Sequence, residues 1–139
     1  MPQDIINATK SCRFEIQPGD VLFIRTGQLK RTLTEGPFSP KDDGSTACQA
    51  ACLPLLKERD VAAIGCDGVS DVMPSGTTRL NPLHELALIS LGMPIFDNLD
   101  LEKLAEVSNV TKRNTFLFVA APLNVEGATG SPLNPMAIF

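Results

Sequence analysis

An α/β fold with a parallel or mixed sheet and crossover helices is what this 139-residue sequence predicts. Two observations carry the prediction. Short unbroken apolar runs, the pattern of strands buried on both faces, recur along the chain. Between them lie segments whose apolar residues return at helical spacing and whose ends carry helix start and stop residues. Alternation of these two kinds of segment defines an α/β chain.

The first strand is "GDVLFIRTG" (19–27), where Val21, Leu22, Phe23 and Ile24 form the apolar run behind Gly19 and Asp20. "QLKRTLTEGPFSPKDDG" is polar and punctuated by Pro and Gly, so a long loop is expected, of a length that is often functional. A helix is expected over 46–58, capped by Ser45 or Thr46, with Pro54 as a kink or a break. "VAAIGCDG" (61–68) is the second strand, stopped by Gly65 and Gly68, and "VSDVMPSGTTRLN" is a loop. Pro82 and Gly92 frame a helix over 82–91 by the usual asymmetry of helix ends. "MPIFDNLDL" is a third strand running out to Asn98. A helix at 101–108 follows, with Asp100 as its N-cap and Glu102 and Glu106 on its outer side. "TFLFVAAPLNV" (115–125) is the fourth and most apolar strand, and "MAIF" a fifth. The chain shows no internal repeat and no low-complexity segment. One domain over 1–139 is expected, long enough to bury roughly 68% of its unfolded surface.

Composition narrows the partners. The formal net charge is -4, and the only basic run, around Lys30 and Arg31, is too short for a phosphate-backbone surface, so nucleic acid is excluded. No apolar stretch reaches the ~20 residues of a membrane span, and "MPQDIINATK" lacks the pattern of a signal peptide. A cytoplasmic protein without a membrane partner, its four cysteines reduced, is expected.

In α/β folds, reactive groups collect beyond the carboxyl ends of the strands. Asp67 follows the second strand and Asp97 ends the third. His84, the single histidine, stands near the start of the helix between them. If that helix packs back across the sheet, His84 and Asp97 reach a common point. The structural alternative is that Asp67 and Asp97 each cap the next segment and His84 lies on the surface. One His and two Asp make a thin catalytic zinc site, which normally takes three protein ligands. Cys48 and Cys52, four apart on the expected helix, share a face. They are read, with Cys66, as small buried core residues. Neither a nucleophile elbow nor a glycine-rich phosphate loop in its strand-to-helix context is present.

"PGDVLFIRTG", "ERDVAAIGCDGVSDVMPSG", "PLHELALISLGMPIFDNLDLEKLAE" and "APLNVEGATGSPLNPMAIF", in this order and spacing, resemble the C-terminal half of the cyclase family, which contains kynurenine formamidase-like and isatin hydrolase-like enzymes. The resemblance runs over nearly the whole chain from about Ile16. It implies a swivelling β/β/α type of fold and zinc- or manganese-dependent hydrolysis of amides, formamides or cyclic amides. The family's His-x-Gly-Thr-His-x-Asp motif, which supplies most metal ligands, lies upstream of the first strand. No histidine precedes Gly19 here, so the resemblance implies a member whose N-terminal part is absent. His84 matches the family's downstream active-site His, a catalytic group. Asp97, in "IFDN", sits where kynurenine formamidases carry a metal-binding Glu. Asp67 and Ser70 match a turn that borders the pocket.

The resemblance also bears on the closing segment "VEGATGSPLNPMAIF". Composition alone leaves a plain surface turn open. The family match favours a loop packed over the site or against a neighbouring subunit, with Gly127 and Gly130 easing its turns and Pro132 and Pro135 stiffening its return. The implied function is an arylformamidase-like hydrolase of a small-molecule amide. It would be incomplete in this chain, inactive alone and unable to hold its metal tightly, with a homo-oligomer or a complementing N-terminal chain as partner. The alternatives are a truncated, inactive remnant and a binding module that reuses the pocket.

Overall fold

The computed structural model describes residues 1–139, which form two compact units, Met1–Lys103 and Leu104–Phe139. In the first unit, β1 (Val21–Ile24), β2 (Ala63–Cys66) and β3 (Ile95–Phe96) make a parallel sheet in the order β1-β2-β3. Val21 to Ile24 face Ala63 to Cys66 in register, and Ile64 and Gly65 face Ile95 and Phe96. The central strand β2 is buried at all four positions, as its sequence Ala-Ile-Gly-Cys requires. Gly65 is there for space: a Cβ would stand 2.7–2.8 Å from side-chain atoms of Phe23 and Leu99.

The helices are α1 (Pro2–Cys12), α2 (Gln28–Glu35), the single turn α3 (Pro40–Asp43), α4 (Leu53–Glu58), α5 (Pro82–His84) and α6 (Glu102–Thr111). A 3-10 turn, Ala50–Cys52, leads into α4, and α5 runs on as a π-helix over Glu85–Leu91. Cys52, Leu53, Leu56, Val61, Ile64, Leu83, Ala87 and Met93 form the core with Cys48, and Leu22, Ile24 and Ile95 of the sheet pack against it. This α/β arrangement with parallel strands and crossover helices is the predicted fold class.

Three local expectations are corrected. The segment after β1 is α2 and α3, not a loop. Its residues Gln28–Glu35 are mostly acceptable helix formers, and the helix starts after Gly27 and stops at Gly36, both at positive φ. The helix expected over 46–58 begins only at Ala50. Ser45 and Cys48 instead form isolated bridges with Met73 and Asp71. Pro54 then sits in the first turn of α4, where a missing N–H costs no helical bond, so it starts that helix rather than bending it. Cys48 and Cys52 therefore do not share a helix face, although both are buried. Helix α1, in a stretch where no helix was expected, buries none of its residues.

In the second unit the apolar fourth run forms β4 (Leu117–Val119), which pairs antiparallel with β5 (Met136–Ile138). Leu117 faces Ile138 and Val119 faces Met136, and all four side chains are exposed. Residues 120–135 between the two strands are largely exposed and form neither helix nor strand. Gly127 there takes a φ of +72°. No helix of the chain is long and apolar enough to cross a membrane.

Candidate active site

The loops that leave the carboxyl ends of β1, β2 and β3 are tied to one another by carboxylates. Asp67, just after β2, accepts the Thr26 N–H and hydroxyl at 2.7 Å each and the Gly27 N–H at 2.8 Å. It thereby clamps the end of β1 and the start of α2. Burial works against its charge, but the Thr26 and Gly27 donors outweigh that and hold its carboxyl below the usual range.

Asp97 follows β3. Its Oδ1 accepts the Ser70 N–H at 2.8 Å and the Ser70 hydroxyl at 2.6 Å. Its Oδ2 lies 2.9 Å from His84 Nε2. The neighbouring amides of Asn98 and Leu99 donate to the carbonyls of Gly68 and Cys66 at 2.9 and 3.0 Å, which fixes the β3 loop against the β2 loop.

Asp71 completes the array. It is 2% exposed. Its Oδ1 accepts the Leu83 N–H at 2.7 Å; its Oδ2 accepts the His84 N–H at 3.2 Å and lies 2.5 Å from His84 Nδ1. The first amides of a helix have no partner within the helix. Asn81, at the cap position of α5, makes no side-chain cap bond, and Asp71 takes that role from the preceding loop while aiming the imidazole.

His84 is thus held between two carboxylates, with its side chain 24% exposed and that of Asp97 29% exposed. An imidazolium, which donates from both ring nitrogens, satisfies both partners. Burial opposes the charge, but the hydrogen bonds to Asp71 and Asp97 outweigh it and raise the pKa above the ordinary histidine value. An imidazole oriented through Nδ1, with Nε2 on a partly exposed carboxylate, is a competent proton donor and acceptor.

The expected meeting of His84 and Asp97 occurs, and Ser70 joins them. Asp67 does not: its carboxylate is turned to Thr26 and Gly27, so it holds a loop. Asp71 and Thr26 were missed. Asp71 stands within the quoted "VSDVMPSG" run, but its role depends on a cap made across 12 residues. Gln28 was missed too. Its Oε1 accepts from the Thr46 N–H and hydroxyl, while its buried Nε2 has no partner.

Zinc and manganese, which the resemblance implies, do not fit these residues by themselves. No three His, Cys, Asp or Glu side chains converge as a metal-binding group. Both oxygens of Asp97 and both nitrogens of His84 are engaged in hydrogen bonds, and a catalytic zinc takes about three protein ligands.

No family model matches the chain, and no curated protein does. Solved structures do. A novel cyclase superposes with a TM-score of 0.83 at 29% identity, over 99% of this chain and 46% of that one. An isatin hydrolase bound to the product analogue thioisatinate gives a TM-score of 0.73 at 26% identity, over 96% of this chain and 50% of that one. Isatin hydrolase A from Ralstonia solanacearum gives 0.72 at 22% identity, over 96% and 51%, a likeness of fold. The chain has the fold of this cyclase and these isatin hydrolases. It spans about half the length of the structures it matches.

Proposed function

We propose that these residues supply the carboxylate-held histidine of a cyclase-type hydrolase that opens an amide, formamide or cyclic amide bond in a small molecule. The observation that carries this reading is the Asp71–His84–Asp97 array at the carboxyl edge of the sheet. The match to an isatin hydrolase supports a cyclic amide as the substrate class.

The His84 imidazolium gives its Nε2 proton to the amide nitrogen as the C–N bond breaks, and Nε2 then takes a proton back from the water whose oxygen has bonded to the carbonyl carbon. Asp71 keeps Nδ1 protonated and the ring aimed, so the proton that moves is the one on Nε2. Asp97, fixed by two bonds from Ser70, stabilises the imidazolium at the start and end of that cycle. Asp67 and Ser70 shape the loops that border this point. A metal would need ligands beyond these residues, and Asp97 is the group this chain would contribute.

The partner we propose is a complementing polypeptide that brings those ligands, or a second copy of the chain. The apolar face of Leu117, Val119, Met136 and Ile138 is unpartnered in its own unit and suits such an association.

The test mixes the chain with the separately expressed amino-terminal half of the matched cyclase in zinc or manganese, and follows ring opening of isatin and deformylation of N-formylkynurenine. Turnover is expected in the mixture and not in the chain alone. His84→Ala should remove it while the circular dichroism spectrum stays unchanged. Robust turnover by the chain alone with one tightly held metal refutes the shared site, and activity that survives His84→Ala refutes the role of the histidine. A stable complex that binds metal yet turns over neither substrate class points to a binding module.

A further inference from the structure

Residues 28–43, which carry α2 and α3, are fastened at both ends to a single loop. At the start, Asp67 accepts the Thr26 and Gly27 N–H groups. At the end, the Ser45 N–H donates to the Met73 carbonyl at 3.0 Å and the Met73 N–H to the Ser45 carbonyl at 3.2 Å. The Ser45 hydroxyl donates to the Asp71 carbonyl at 3.0 Å. The same loop carries Ser70 and Asp71, the groups that hold Asp97 and His84. Both roots of the stretch therefore stand at the rim of the candidate site.

Between the roots, Gln28 is the one buried residue: α2 buries only that side chain and α3 buries none. The polar groups of residues 29–43 bond among themselves. Arg31 Nε donates to Glu35 at 3.3 Å, the Thr34 hydroxyl to the Lys30 carbonyl at 2.9 Å, and the Arg31 guanidinium lies over the Phe38 ring at 5.2 Å. Gly27 and Gly44 flank the stretch at φ +86° and +73°, and glycine passes between such conformations and ordinary ones at little steric cost. A segment with few buried side chains and an exposed backbone belongs to the least stable part of a fold.

Gln28 holds the stretch down. Its side chain lies on the Gly68 main chain, where a Cβ would come 2.9 Å from Gln28 Cγ. Its Oε1 accepts the Thr46 N–H at 3.3 Å and the Thr46 hydroxyl at 3.2 Å, which joins the two ends. The Thr46 N–H requires an oxygen opposite it, so the amide cannot be turned over, and Nε2 is left buried with no acceptor. A donor buried without a partner regains its hydrogen bonds in water. The closed arrangement is accordingly held weakly, and opening satisfies Nε2.

We propose that residues 28–43 are a hinged flap at the rim of the site, latched by Gln28 on Gly68 and Thr46, whose opening sets the access of small molecules to His84. The flap turns about Gly27 and Gly44. Asp67 and Met73 keep its roots in place, so Ser70, Asp71 and the imidazole stay aimed while it moves. The gating role rests on the reading of His84 as the reacting group; the flap itself does not.

The experiment uses the full chain and needs no turnover. Amide hydrogen exchange, read on peptic fragments, compares wild type with Gln28→Ala, which removes the latch, and with Gly68→Ala, which crowds it from the opposite side and leaves Gln28 intact. In wild type, residues 29–43 should exchange faster than residues 53–66. Each substitution should speed exchange across 29–43 by about five- to tenfold and leave 53–66 unchanged. In parallel, diethyl pyrocarbonate modifies His84, the only histidine, and its rate should rise in both variants by a similar factor. Exchange across 29–43 that neither substitution changes overturns the latch. So does a rise shared equally by 53–66, which reports unfolding of the core. A loosened flap with His84 modified at the wild-type rate overturns the gate. Hydrolysis that survives His84→Ala overturns the hydrolytic reading instead, and leaves the exchange rates as they stand.

Discussion

Asp71→Asn removes a charge without changing shape, and the structure sets the size of the effect. The carboxylate accepts the Leu83 N–H on one oxygen, and on the other accepts the His84 N–H and faces Nδ1. An amide keeps one accepting oxygen. If that oxygen stays with His84, the Leu83 N–H faces an amide NH2 and is left unpaired in the core. An orphaned buried donor costs about 1–3 kcal/mol. The bond from the imidazolium also passes from a carboxylate to a neutral acceptor, which forfeits about 1 kcal/mol. The expected loss is therefore about 2–4 kcal/mol, large against the usual total of roughly 5–15 kcal/mol.

The chain has no Trp and no Tyr, so urea unfolding is followed by far-ultraviolet circular dichroism, in chelator. The sign of the pH dependence is set by His84, whose native pKa is raised. Its contribution is fully present below the unfolded histidine value of about 6.5 and is lost as pH climbs through the raised native value. The gap between wild type and Asp71→Asn should accordingly be wide near pH 6 and narrow under alkaline conditions, and the His84 titration midpoint should fall in the variant. A loss below about 0.5 kcal/mol, the range of an ordinary surface substitution, with an unchanged His84 midpoint, refutes the argument that Asp71 both caps α5 and holds the ring.

Asp67→Asn should cost about 1–3 kcal/mol near neutrality; because the native pKa is lowered, the difference should persist above the unfolded value of about 3.9 and vanish as pH falls through the native one, which urea melts at several acidic pH values will show. Gly65→Ala places a Cβ 2.7 Å from Phe23 and Leu99, and the forced shift should lower stability by about 1–3 kcal/mol, read as a drop in midpoint in thermal melts. Leu56→Ala empties a fully buried core position and should cost about 2–5 kcal/mol in the same assay. Sedimentation should show the chain associating, and Val119→Lys with Ile138→Lys on the exposed β4–β5 face should return it to monomer; a wild-type chain that stays monomeric at high concentration counts against that face as an interface.

How much of this was legible depended on whether a feature is local. Val21–Ile24 and Ala63–Cys66 announce themselves as strands because strands buried on both faces must be apolar without a break. Pro82 and Gly92 frame their helix because φ constraints act on single residues. The segment at 28–43 failed because Pro and Gly dominate a composition count, while the eight residues before Gly36 form a helix of their own. The helix expected across Cys48 failed for a different reason: that residue is claimed by main-chain pairing with Ser70 and Val72, a partner more than 20 positions away. The site divides in the same way. His84 and Asp97 stand at positions that topology alone fixes, a strand end and a helix start, so their meeting follows from the order of elements. Asp71 and Thr26 act through the paths of their loops, and no period in the sequence encodes a loop path. Placement of the reacting groups was thus readable from the pattern, whereas their orientation, which decides how a proton moves, came from residues that pattern cannot distinguish from ordinary turn formers.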